Sequence, residues 1–110
     1  MSARKGEVTM PVSCTQEDRR LVAEVSGELD HHGAKKIMEE LDRQIDTLLP
    51  RELTLDLQGL TFTDSSGIAV LLRAWKRMSQ LGGAFRVIHT PAQASKVFQA
   101  AGLQRMIRFE

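Results

Sequence analysis

The hydrophobic period changes within one short stretch, and that change constrains the fold more than any other feature of the chain. From Glu52 to Leu57, the residues Leu53, Leu55 and Leu57 alternate with Thr54 and Asp56, the two-residue period of a strand with a buried face. From about Ser66 to Leu81, Ile68, Leu71, Leu72, Trp75 and Met78 recur at steps of three and four, while Arg73, Lys76, Arg77 and Gln80 lie mostly elsewhere. A strand that gives way to an amphipathic helix predicts a strand–loop–helix unit. Gly82-Gly83 ends the helix, and Phe85 to His89 returns the chain to the sheet.

The flanking segments extend the same logic. Val8 to Val12 and Arg20 to Ser26 read as two strands of a hairpin with Gln16-Glu17-Asp18 between them, and Gly27 ends the second. Between about Ala34 and Leu49, Ala34, Ile37, Met38, Leu41, Ile45, Leu48 and Leu49 form one helical stripe that Pro50 stops. Gln58-Gly59 reads as a turn after the central strand. Pro91 opens a third helix, about Ala92 to Ala101, with Val97 and Phe98 inward and Gly102 at its end, and Met106 to Phe109 alternates as a last strand. The predicted order is ββαβαβαβ, an α/β domain with a mixed sheet and crossover helices. Residues 1–7 read as a flexible lead-in and residues 8–110 as one domain.

Composition narrows the functional classes. Fifteen basic and fourteen acidic residues nearly cancel, so no broad field favours a nucleic acid or an acidic membrane. Cys14 is the only cysteine, which excludes an internal disulfide and fits a reducing, cytoplasmic setting, with simple packing as its expected role. No apolar run reaches the roughly twenty residues that a spanning helix needs.

The loop Thr61 to Gly67 leaves the C-terminal end of a strand, where α/β folds meet ligands and partners. Thr61, Thr63, Ser65 and Ser66 place hydroxyls beside helix N–H groups that lack intrahelical partners, so a hydroxyl or a phosphate can be held there. Asp64 and Ser65 are both capping residue types, and Gly67 permits a tight turn. One cap needs one side chain, which leaves at least one serine hydroxyl available for modification. A phosphate on Ser65 would bring about −1.5 to −2 charges to a helix N-terminus, where the dipole tolerates them, while repelling an incoming partner.

The run Leu55-Asp56-Leu57, Leu60, Phe62, Asp64-Ser65-Ser66-Gly67-Ile68 and Leu81-Gly82-Gly83 resembles the STAS-domain family of anti-sigma factor antagonists. Within that family, Gly27-Glu28-Leu29-Asp30-His31-His32 and the ending Ile107-Arg108-Phe109-Glu110 resemble most closely the sporulation branch, the antagonists of the anti-sigma-F factor. The resemblance spans about Val8 to Glu110. It implies that Ser65 is phosphorylated by an anti-sigma factor that is itself a serine kinase with bound nucleotide, with Ser66 secondary, and that a serine phosphatase reverses this. The unphosphorylated form would bind the anti-sigma factor and free the sigma factor, and the phosphorylated form would be inactive. It further implies a partner surface of Glu28, Asp30, His31, His32, Thr63, Asp64, Ser65, Ser66 and Gly67. Thr63 stands where the family often carries an apolar residue, and Gln58-Gly59 replaces a more acidic turn.

Competing readings are weaker. Asp30-His31-His32 are adjacent residues on an extended segment, which project to opposite sides, so no metal and no cofactor is expected, and Asp30 reads instead as a helix cap. The Gly-x-Ser-x-Gly elbow of a serine hydrolase is absent because position 63 is Thr, and no sequence pattern links His89 to Ser65, so no enzyme is expected. Gly82-Gly83 lacks the Lys-Ser/Thr of a phosphate loop, which weighs against a nucleotide-binding module. Arg73, Lys76 and Arg77 read as a solvated face or, alternatively, a contact for an acidic patch, and Trp75 as core. A general stress pathway is the alternative to sporulation.

Overall fold

The computed structural model describes residues 12–110, and the expected lead-in and most of the strand at Val8 to Val12 lie outside them. The elements are β1 (Val12–Glu17), β2 (Arg20–Leu29), α1 (His31–Leu48), β3 (Glu52–Thr63), α2 (Ser66–Gln80), β4 (Ala84–Ile88), α3 (Ala92–Ala100), a 3-10 turn (Leu103–Arg105) and β5 (Arg108–Phe109). The order ββαβαβαβ is the predicted one. The five strands lie in sequence order across one sheet, β1 antiparallel to β2 and the remaining pairs parallel. One core joins α1 (Ala34, Ile37, Leu41), α2 (Val70, Leu71) and α3 (Ala94, Phe98) to Ala23, Val25, Leu55, Leu57 and Val87. The helices therefore share one face of the sheet. The opposite face carries Thr15, Val22, Thr54 and Arg86 in a shallow polar cleft.

Several boundaries differ from the sequence expectation. The hairpin turn is not Gln16-Glu17-Asp18. Glu17 pairs with Arg20, which leaves the two-residue loop Asp18-Arg19, both with positive φ (55° and 61°). That is the primed hairpin geometry, whose backbone twist matches the strands. It lacks the usual Asn-Gly signature, and tertiary bonds hold it instead: the Arg19 guanidinium donates to the Leu49 carbonyl at 2.7 Å, and the Arg51 N–H donates to the Arg19 carbonyl at 2.9 Å.

Gly27 does not end β2, and Gln58-Gly59 does not turn the chain. Between Glu24↔Asp56 and Leu29↔Thr63 the β2–β3 register shifts twice, so β3 accommodates two extra residues as bulges. Gly27 carries the positive φ (81°) at one irregularity. At the other, a Cβ on Gly59 would lie 3.0 Å from the Ser26 Cβ, and the Gln58 N–H donates to Asp56 Oδ1 at 3.0 Å. The central strands thus run on to Leu29 and Thr63. That extension delivers the two chain segments after them to the same edge of the sheet.

α1 begins at His31 rather than Ala34, and the regular part of the last strand is only Arg108–Phe109. Trp75 packs half-buried against the core, beside the buried row Val70, Leu71, Ala74 and Met78. Cys14 sits half-buried facing α1, where burial and the Glu40 carboxylate push its thiol up to about 11.

Candidate functional site

β2 and β3 end side by side, with Glu28 opposite Phe62 and Leu29 opposite Thr63. The chain leaves β2 through Asp30 into α1 and leaves β3 through Asp64-Ser65 into α2, so two helix N-termini start from neighbouring strand ends. The Leu29 carbonyl ties them together, accepting from the Asp64 N–H at 3.3 Å.

Asp64 and the serines divide the work at the start of α2. Asp64 Oδ1 accepts the Ser66 N–H at 2.7 Å, and the Asp64 carbonyl accepts the Gly67 N–H at 3.1 Å. The carboxylate is therefore the cap, the choice that the sequence left open among Asp64 and the hydroxyls. Ser65 is exposed, in right-handed helical backbone (φ −64°, ψ −15°), and its side chain makes no capping bond. Ser66 is half-buried. The element thus presents one serine hydroxyl outward, beside the N–H groups of a helix start.

Thr63 and Gly67 lie beneath this surface rather than on it. Thr63 is 0% exposed, and its hydroxyl donates to the Asp64 carbonyl at 2.9 Å, with the Leu29 carbonyl 3.4 Å away. An apolar side chain there could not make these bonds. Gly67 has no positive φ, so the turn does not require glycine for its backbone angles. Space requires it: a Cβ would lie 2.1 Å from Thr63 Oγ1 and 3.1 Å from Leu29 Cδ2.

Across the gap, Asp30 caps α1 by accepting the Gly33 N–H at 2.8 Å, as expected of it. Glu28, His31 and His32 are exposed at the same edge as Ser65. His89, by contrast, follows β4 and pairs through Nδ1 with Asp56 Oδ1 at 2.9 Å. Among the described residues no hydrogen bond joins it to Ser65, and no group of three metal-ligating side chains converges. Two members of the basic cluster on α2 reach across to α1 at the surface: Arg73 and Arg77 both bind Asp42, and Arg77 also binds Asp46, which clamps α2 to α1. The same Asp42 contact raises the Arg73 guanidinium above its usual value. Lys76 is exposed, and among the described residues it makes no ion pair.

Two residues at the site lie outside the partner surface that the sequence analysis named. Gln93 in the first turn of α3 grips the backbone of Thr63, a tertiary contact that no periodicity announces. Phe62 is 43% exposed at the sheet edge beside Glu28. The sequence shows it as an apolar residue at strand spacing from the buried Leu60, a pattern that by itself points to burial rather than exposure.

The STAS domain family matches residues 11–110. The chain belongs to this family. An anti-sigma F factor antagonist of Paenibacillus polymyxa is 31% identical over 87 residues, 79% of this chain and 74% of that protein. Among solved structures, the anti-sigma factor antagonist SpoIIAA in its unphosphorylated form superposes with a TM-score of 0.78 at 24% identity, over 90% of this chain and 87% of that one. The phosphorylated form of SpoIIAA, described as a Bacillus cell fate determinant, superposes with a TM-score of 0.71 at 24% identity, covering 90% of each chain. The STAS relatives are named as regulators of a protein factor, not as enzymes, and the serine-hydrolase reading falls with that assignment. Among the described residues, no helix is long and apolar enough to cross a membrane.

Proposed function

We propose that this STAS domain is an anti-sigma factor antagonist of the sporulation type, switched by phosphorylation of Ser65. One observation carries the reading: Asp64 caps α2, so among the described residues the exposed Ser65 hydroxyl has no structural bond to give up when it is modified. A dianion at this position lies at the positive end of the α2 dipole, so the fold tolerates it. A partner docked over the same surface would meet a desolvated double charge and be repelled.

The unphosphorylated chain would dock on an anti-sigma factor kinase through Ser65, the exposed Glu28, His31 and His32 and the half-buried Ser66, releasing the sigma factor. Thr63, Asp64 and Gly67 shape that surface, and Asp30 fixes the start of α1. The kinase with its bound nucleotide would then phosphorylate Ser65 and dissociate, and a serine phosphatase would reset the cycle in the cytoplasm. The sigma-F assignment is supported by the naming of the Paenibacillus polymyxa relative and by Asp30-His31-His32 beside the switch.

Binding tests this reading. Ser65→Asp should fold normally and bind the anti-sigma factor at least about tenfold more weakly, a loss of roughly 1.4 kcal/mol, by titration calorimetry. Unchanged affinity in a folded Ser65→Asp protein would remove charge as the basis of the switch.

A further inference from the structure

β3 outruns its neighbour β4. The β3–β4 ladder stops at Asp56↔Ile88, yet β3 continues to Thr63, so its last residues need other partners on that side. Thr63 is fully buried, and an unpaired backbone group there would have no water to turn to. The side chain of Gln93 fills the vacancy. The Thr63 N–H donates to Gln93 Oε1 at 3.0 Å, and Gln93 Nε2 donates to the Thr63 carbonyl at 2.8 Å. A primary amide presents the same donor and acceptor as a peptide group, so this pair of bonds works as one rung of a sheet made by a side chain.

The geometry points to Gln93 as a positioning residue that sets the pose of Ser65. Ser65 is two residues past the clamped Thr63, and the intervening Asp64 is held to the Leu29 carbonyl on the other side. Thr63 is thus gripped between β2 and α3, and the phosphoacceptor projects from that grip. α3, which contributes no exposed residue to the proposed partner surface, thereby controls how the surface presents its hydroxyl. The consequence for phosphoryl transfer rests on the reading of Ser65 as the acceptor, whereas the clamp on the loop does not.

Two variants test this, Gln93→Ala and the isosteric Gln93→Glu, which keeps the acceptor for the Thr63 N–H but replaces the donor with a charge facing the Thr63 carbonyl. In the isolated chain, hydrogen exchange followed by NMR should show Thr63 amide protection falling at least about tenfold in Gln93→Ala and less in Gln93→Glu, with the α1 amides of Ile37 and Leu41 unchanged in both. With the cognate anti-sigma factor kinase and ATP, kcat for phosphorylation should fall at least about tenfold while KM changes less than about twofold, a split that general destabilisation would not produce. Wild-type protection at Thr63 in Gln93→Ala would overturn the clamp, and wild-type kcat in a Gln93→Ala protein that has lost protection would overturn the positioning role. If the wild-type chain accepts no phosphate on Ser65, the switch reading fails and takes the transfer role of Gln93 with it, while the exchange data still decide the clamp.

Discussion

Gly67→Ala isolates the packing beneath Ser65. The new Cβ would lie 2.1 Å from Thr63 Oγ1, 3.1 Å from Leu29 Cδ2 and 3.4 Å from Phe98 Cε1. Thr63 cannot yield cheaply, because it is buried and β-branched, and rotating its hydroxyl abandons the bond to the Asp64 carbonyl. Overpacking of this kind costs about 1–3 kcal/mol, and the lost bond adds to it. Against this stands the helix-propensity gain of alanine over glycine, at most about 1 kcal/mol and smaller in a first turn. The net expectation is a loss of about 1–3 kcal/mol, and about 4–8 °C in Tm for each kcal/mol in a domain near this size. Thermal and urea denaturation followed by far-UV circular dichroism would measure it. Thr63→Ala should partly rescue Gly67→Ala, so that the double variant loses at least about 1 kcal/mol less than the sum of the singles. Thr63→Ser, which keeps Oγ1, should not. A Gly67→Ala protein as stable as the parent, or additive behaviour with Thr63→Ala, would refute the steric argument.

Three further outcomes follow from the same geometry. Asp64→Ala should cost about 1 kcal/mol in urea denaturation through loss of the cap, whereas Ser65→Ala should change stability by less than about 0.5 kcal/mol. Asp42→Ala should separate α1 from α2 by leaving Arg73 and Arg77 without their shared partner, at a cost of roughly 0.5–1 kcal/mol that shrinks as salt is raised. Cys14, with its thiol at about 11 against an ordinary 9.0, should react with a thiol reagent at pH 8 about a hundredfold more slowly than an unfolded control.

The order of elements was legible because each segment carries one clear period, alternation in Glu52–Leu57 and steps of three and four in Ile37–Ile45 and Ile68–Met78. What escaped was set by contacts between distant segments. The Asp18-Arg19 turn rests on Leu49 and Arg51, and Gln58-Gly59 continues a strand only because β2 lies close alongside. At the site, the sequence marks the Asp64-Ser65-Ser66-Gly67 element and the cap at Asp30, since both use local capping chemistry. It could not distinguish the exposed Ser65 from the buried Thr63 and Gly67, because burial there depends on Leu29 and Phe98. Gln93 was invisible for the same reason, lying thirty residues from the backbone it holds.

The most direct test of the account is the site of phosphate transfer. The chain would be incubated with its anti-sigma factor kinase and ATP, then analysed by mass spectrometry of the intact protein and its peptides. A single phosphate confined to the peptide containing Ser65, and lost in Ser65→Ala, is the predicted result. A phosphate on any peptide lacking Ser65, or full incorporation into Ser65→Ala, would contradict it.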